Sequence, residues 1–284
     1  MDKILLGNGI EIAYRDVGQG IPIVLIHGLD GNLAAFKQLS QQLSDRYRVI
    51  TYDVRGHGKS SRCEAFDLED HIEDLYILME RLNISSAHIL GHDMGGLIGK
   101  RFTEKYPFKT ISLTAVASKR EDITHGFTKL MVEHQDLVAG FNKSEAVLLL
   151  FPILFKEQDN TMKWFQDQRM YYRQTSEESA IAIRALISYN AQEQEERPLV
   201  NVPTLIINGF YDPLIKDKNN YCVDDHFENI TKMVFNDSGH APHIEEPEKF
   251  VKVYTDLLVQ LNIGLKDNDL FKKGILSHVQ MARG

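Results

Sequence analysis

Ile10, Ile12 and Tyr14 fall on every second position of the stretch Gly9–Arg15, the period of a strand with one buried face, and Gly18-Gln19-Gly20 turns the chain after it. Ile21-Pro22-Ile23-Val24-Leu25-Ile26 is continuously apolar, which predicts a central strand covered on both faces. It runs into His27-Gly28-Leu29-Asp30-Gly31, and Leu33–Leu43 follows as a predicted helix. Tyr47–Tyr52 reads as another strand, ending in Asp53-Val54-Arg55-Gly56-His57-Gly58-Lys59-Ser60. Ile72, Leu75, Leu78, Met79 and Leu82 have helical spacing within Asp67–Leu82. The apolar run Ala87-His88-Ile89-Leu90 predicts a buried strand, Gly96–Phe102 a helix, and Thr110–Val116 a further strand. Strands alternating with helices in this way make a mostly parallel sheet flanked by helices. In such a sheet the functional groups gather at the carboxyl ends of the strands.

From residue 119 to 196 the strand signal disappears. Phe127–Phe141, Ser144–Phe155, Asn160–Gln174 and Glu177–Gln192 all read as helices, which predicts an inserted helical cap. The sheet pattern returns at Val202–Gly209 and Ile230–Phe235, and Pro247–Leu261 closes it as a helix. The expected division is a core of residues 1–118 and 197–264, the cap of residues 119–196, and a C-terminal tail of residues 265–284, read as a peripheral or frayed helix.

Composition adds exclusions. The chain has 284 residues, 43% hydrophobic and 25% charged, ordinary for a soluble globular protein. A net charge of −8 argues against nucleic-acid or anionic-membrane partners. Cys63 and Cys222, without a Cys-x-x-Cys spacing, point to a reducing compartment and to no zinc site. The N-terminus lacks the apolar region of a signal peptide, and the longest apolar run, Ala146–Phe155, is too short to span a bilayer. A cytoplasmic location is expected, with no cofactor, no metal, and a small molecule and water as the only partners.

Three stretches carry candidate chemistry. In Gly91-His92-Asp93-Met94-Gly95-Gly96 a strand turns directly into a helix, in the frame of a nucleophile elbow with Asp where Ser is usual. Glycines two before and two after Asp93 suit a turn on which any Cβ would clash. A carboxylate attacks an electrophilic sp³ carbon usefully but is a poor acyl-transfer nucleophile. Asp212 follows the strand Leu205–Ile207, and Gly239-His240 follows Met233–Phe235, each at a strand exit. The order nucleophile, acid, histidine is that of the α/β-hydrolases.

With His27-Gly28, Asp53–Ser60, the elbow, Gly209–Asp212 and Gly239–Glu246 in sequence, the chain resembles a cap-bearing α/β-hydrolase over residues 10 to 262. Asp at the elbow is similar to epoxide hydrolases and to haloalkane and haloacid dehalogenases. The resemblance implies that Asp93 forms an alkyl-enzyme ester. His240, oriented by Asp212, would then activate the water that hydrolyses it, and the N–H groups of Leu29 and Met94 would hold the oxyanion. It also implies a cap tyrosine as proton donor to an epoxide oxygen, the candidates being Tyr171, Tyr172 and Tyr189, with Trp164 as a further substrate contact. Asp53, Arg55, His57, His27 and His92 are expected to brace the site. The chain departs from the dehalogenases in having Met94, not Trp or Arg, after the nucleophile. Met94-Gly95-Gly96 and Gly28-Leu29 are closer to the serine esterases and the lactone or C–C hydrolases, so an enzyme of that kind with Asp in place of Ser is the alternative. A ligand-binding protein on the same fold is the third reading, disfavoured because Asp212 and His240 are retained.

Overall fold

The computed structural model describes residues 1–7, 9–119, 123–190, 199–215 and 227–262. Eight strands among them form one sheet: β1 (Asp2–Leu5), β2 (Glu11–Val17), β3 (Pro22–Ile26), β4 (Arg48–Tyr52), β5 (Ala87–His92), β6 (Thr110–Val116), β7 (Thr204–Gly209) and β8 (Ile230–Phe235). Their order is β1-β2-β4-β3-β5-β6-β7-β8. β1 and β2 pair antiparallel and β2 meets β4 antiparallel, and every pairing from β4 to β8 is parallel. The expected architecture is thereby met. β3 and β5 lie at the centre, β3 apolar throughout and every residue of β5 buried.

Helices α1 (Lys37–Leu43), α2 (Leu68–Arg81) and α3 (Met94–Lys105) connect the first parallel strands. Asp67 starts α2 with a reciprocal capping box, accepting from the Asp70 N–H while the Asp70 carboxylate accepts from the Asp67 N–H. The predicted apolar face of α2 is the one that is buried, with Ile72, Leu75, Leu78 and Met79 in the same core as Val24, Ile50, Ile89 and Leu97.

Between β6 and β7 lie α4 (Ile123–Glu133), α5 (Gln135–Val138), α6 (Lys143–Leu154), α7 (Gln158–Tyr171) and α8 (Ser176–Asn190). The single helix expected over Phe127–Phe141 is two, broken at His134. Asn142 opens α6 with a second capping box, to Glu145. Leu130, Leu150, Phe151 and Leu154 give these helices a core of their own, joined by Ala241 and Ile244. No helix among the described residues is long and apolar enough to cross a membrane. The chain divides into two compact units, residues 1–245 and 246–284. The described part of the second is a helix, α9, over 247–262, with a Lys252–Asp256 ion pair along its surface. The tail of residues 265–284 and Cys222 lie outside the described residues.

The turn from β5 into α3 needs its glycines for space. A Cβ on Gly91 would lie 2.0 Å from the Gly95 carbonyl oxygen, and one on Gly95 would lie 2.0 Å from the Ile26 oxygen and 2.7 Å from that of His27. Both neighbours are backbone and cannot rotate away. Gly95→Ala is expected to cost about 3 kcal/mol, read as a lower urea midpoint. An unchanged midpoint would show that α3 can slide off the end of β3.

Candidate active site

Asp93 is the residue between β5 and α3. Its backbone stands at φ 51°, ψ −117°, a region that non-glycine side chains rarely occupy. Three bonds hold it there. The Asp93 N–H donates to the Val116 carbonyl at 2.9 Å, the Gly96 N–H donates to the Asp93 carbonyl at 3.0 Å, and the Ser118 hydroxyl donates to the same carbonyl at 2.7 Å. The Asp93 carboxylate is thus presented at the mouth of α3. Its Oδ2 accepts from the Leu29 N–H at 3.0 Å. Met94 is the first residue of α3, and the first N–H groups of a helix have no acceptor within it. Leu29 and Met94 therefore flank Asp93 as the sequence led us to expect.

His240 and Asp212 arrive from the ends of β8 and β7. The His240 Nδ1–H donates to Asp212 Oδ2 at 2.9 Å, and the other Asp212 oxygen accepts from the Leu214 N–H at 2.9 Å. Nε2 of His240 then faces Asp93 Oδ1 at 3.9 Å. That separation leaves Oδ1 open to an incoming carbon. Burial alone would push the His240 imidazole down. The Asp212 carboxylate, with Asp93 and Glu245 beyond it, outweighs burial and holds it up at about 9.

Two residues position this loop: Glu245, which the sequence did not single out, and His92, expected to brace the site. Buried Glu245 gathers four backbone N–H groups: Gly239 and Ala241, each at 2.9 Å, Lys156 at 2.7 Å and Glu157 at 3.1 Å. It ties the His240 loop to the turn between α6 and α7. His92 Nε2–H donates to the His240 carbonyl at 2.8 Å, so it braces the base. Burial and the neighbouring His240 push His92 down to about 4. Nothing in the spacing of Glu245 distinguishes it from a surface carboxylate; only its place after Gly239-His240 hints at the role. Ser118, just past β6, carries no sequence signal at all.

The remaining bracing residues are placed as expected. The Val54 N–H donates to His27 Nε2 at 3.1 Å, which leaves the His27 proton on Nδ1 to donate to the Gly28 carbonyl at 2.8 Å. This shapes the loop that carries Leu29. Asp53 accepts from the N–H groups of Leu33 and Lys59, both at 2.7 Å, and Arg55 forks onto Asp74 at 2.8 and 2.7 Å. His57 is buried against His27, ring centroids 5.2 Å apart.

A cavity of about 260 Å³ opens above Asp93 and His240. Phe127, Val147, Leu154, Trp164, Phe165 and Tyr172 of the helical segment line it. The expected tyrosines part company here. Tyr171 does not line the cavity. Its hydroxyl donates to Asp53 Oδ2 at 2.8 Å, because the last turn of α7 points that side chain down to the sheet, and its proton is held more tightly than an ordinary phenol's by burial and by Asp53. The side chain of Tyr189 lies outside the described residues. Tyr172 lines the cavity, with its hydroxyl donating to Glu178 at 2.8 Å. The Trp164 indole N–H donates to the Ala35 carbonyl at 2.9 Å, so Trp164 offers the cavity its ring and not its proton. No group of three or more His, Cys, Asp or Glu side chains among the described residues could hold a metal ion.

The fold is matched in known proteins. The family model described as alpha/beta hydrolase fold matches residues 21–247. The chain is similar to 3-oxoadipate enol-lactonase 1 of Acinetobacter baylyi, 26% identical over 88% of this chain and 92% of that protein. Among solved structures it is similar to a thermophilic esterase from Thermogutta terrifontis, with a TM-score of 0.73 at 23% identity over 92% of this chain and 98% of that one. It is also similar to an epoxide hydrolase from Bacillus megaterium, with a TM-score of 0.73 at 21% identity over 90% and 99%.

Proposed function

Because the chain belongs to the alpha/beta hydrolase fold family, we propose that it is a hydrolase in which Asp93 attacks an electrophilic sp³ carbon, an epoxide carbon in the first instance. The observation that carries this reading is the seat of the Asp93 carboxylate. Oδ2 already fills the donor site at the Leu29 N–H, while Oδ1 is open and faces His240. A carboxylate so placed is oriented for attack.

In the first step Oδ1 bonds to the epoxide carbon, the ring C–O bond breaks, and the alkoxide takes a proton. Tyr172, the tyrosine placed in the cavity, supplies that proton after exchanging its bond to Glu178. In the second step water adds to Cγ of Asp93 and gives a proton to His240 Nε2. The oxyanion develops on Oδ2, against the Leu29 and Met94 N–H groups, and collapse releases the diol with His240 returning the proton. His240 carries its proton in the resting enzyme, and Asp93 is one of the charges that hold it there. Esterification removes that charge, and the imidazolium passes its proton through water to the Tyr172 phenolate, which restores the tyrosine and frees the ring to act as the base. A halide leaving group is less well served. The single indole N–H of the chain is spent on Ala35, and Met94 follows the nucleophile.

Replacing His240 with Gln should let alkylation proceed and stop hydrolysis. Intact-mass spectrometry of that variant after incubation with epoxides, haloalkanes, haloacids and activated esters should show a stable adduct, mapped to Asp93. Continued multiple turnover in the variant would place the base elsewhere.

Hydrolysis of an ester or lactone is the second reading, supported by the lactonase and esterase likenesses. At the site it is the weaker one, because Asp93 Oδ2 occupies the donor that a substrate carbonyl would need. Asp93→Ser separates the two: new esterase activity, with no adduct from any alkylating compound in the His240→Gln protein, would favour the ester reading.

A further inference from the structure

The helical end of the cavity carries polar groups that the mechanism does not use. The chain leaving α7 and entering α8 places Arg169, Arg173 and Gln174 on the cavity wall. Both amide atoms of Gln174, Nε2 and Oε1, are buried and without a hydrogen-bond partner. A buried amide left in that state is costly unless an occupant completes it. The two arginines beside it make no ion pair among the described residues, whereas Arg48, Arg55 and Arg62 each hold a carboxylate. The Arg169 guanidinium instead lies over the Phe165 ring, 5.4 Å from its centroid, which leaves its edge free. Glu178, an acid close by in sequence, is already engaged by Arg62, by the Tyr172 hydroxyl and by the Thr175 N–H. The carboxylates on the cavity wall are Asp30 and, at the elbow, Asp93.

We propose that Arg169, Arg173 and Gln174 form a carboxylate-binding subsite, so that the electrophile on which this protein acts carries a carboxylate joined to its reactive carbon by an apolar stem. Two guanidinium forks and an amide N–H match the flat, two-oxygen edge of a carboxylate. Gln174 Oε1 accepts from a hydroxyl, an amide N–H or a water beside it. Phe127, Val147, Leu154 and Phe165 line the same cavity and offer the stem an apolar surface. A cavity of about 260 Å³ limits the whole to a small molecule. As a statement about substrate, the proposal rests on the Asp93 reading; as a statement about binding, it does not.

Calorimetric titration of the full-length protein with hexanoate, hexanamide and hexyl phosphate tests it. Hexanoate should bind on the order of tenfold more tightly than hexanamide, the size expected of charge-assisted hydrogen bonds. That preference should vanish in the double variant Arg169→Gln/Arg173→Gln and weaken in Gln174→Leu. Arg173→Gln alone, at an exposed position, should reduce it and serves if the double variant does not fold. No binding of hexanoate, equal affinity for the amide, tighter binding of the phosphate, or a preference that survives the double variant would each overturn the subsite. The two readings fail separately. A hexanoate preference without any Asp93 adduct sinks the nucleophile and keeps the subsite, while adducts from neutral epoxides without a hexanoate preference do the reverse.

Discussion

Asp93→Asn should abolish steady-state turnover, lowering kcat/KM by about 10⁴-fold or more, as removal of one member of a cooperating catalytic set does. The substitution keeps shape and removes chemistry. The amide oxygen can still accept from the Leu29 N–H, as Oδ2 does now at 3.0 Å. The bonds that hold the strained backbone of residue 93, to Val116, Gly96 and Ser118, involve only main-chain atoms of that residue. Fold and thermal midpoint should therefore be close to those of the parent. What is lost is a negatively charged oxygen able to bond to carbon. Intact mass must accompany the kinetics, because the amide can itself be hydrolysed in this site; activity that grows on standing, together with return of the aspartate mass, supports the same mechanism. Full activity at the asparagine mass would exclude a covalent Asp93 intermediate.

Acidification should unfold this protein at an unusually mild pH, near 5. His27, His57, His71, His92 and His243 are all buried, and burial pushes every one of them below the ordinary imidazole value, His57 to about 3 and His92 to about 4. A base whose pKa is lower folded than unfolded takes up its proton preferentially in the unfolded chain. Its cost is therefore absent above about 6.5, sets in as the pH falls through that value, and grows until the folded pKa is reached. Each such site removes at most about 1.4 kcal/mol per pH unit, so five together remove at most about 7 kcal/mol per unit, against a total stability of about 5–15 kcal/mol for a typical domain. His240 has the opposite sign. Its raised pKa gives stability that is complete below about 6.5 and fades as the pH climbs through 9. The fluorescence of Trp164, the only tryptophan, should report a cooperative acid transition. His71→Leu, which removes one proton site beside Phe66, should move the midpoint down by about 0.3 pH unit. A protein still folded at pH 4 would show that these rings are not held neutral.

The sheet and the elbow were legible in the chain because their signals are local. A parallel strand covered on both faces is rich in apolar residues, so β3, β5 and β7 could be bounded to within a few residues. A strand that turns straight into a helix leaves no room for a Cβ, so Gly91 and Gly95 bracket Asp93 visibly. β1 was not legible. Its four residues are largely exposed at the edge of the sheet, and pairing with β2, not burial, defines it. The tyrosines show the same limit. Tyr171 and Tyr172 are adjacent in sequence and equivalent in composition, yet one braces Asp53 and the other lines the cavity.

The sequence by itself determined the order of strands and helices, the strained position of Asp93, and the placing of Asp212 and His240 at strand exits, because these follow from periodicity and from backbone sterics within a few residues. Only the tertiary structure decided which oxygen of Asp93 meets Leu29, that Glu245 and Ser118 hold the site in place, and that Arg169, Arg173 and Gln174 face the same cavity as Asp93. Those outcomes depend on side-chain direction and on contacts between segments 25 or more residues apart. A one-dimensional pattern of apolar and polar residues carries no information about either.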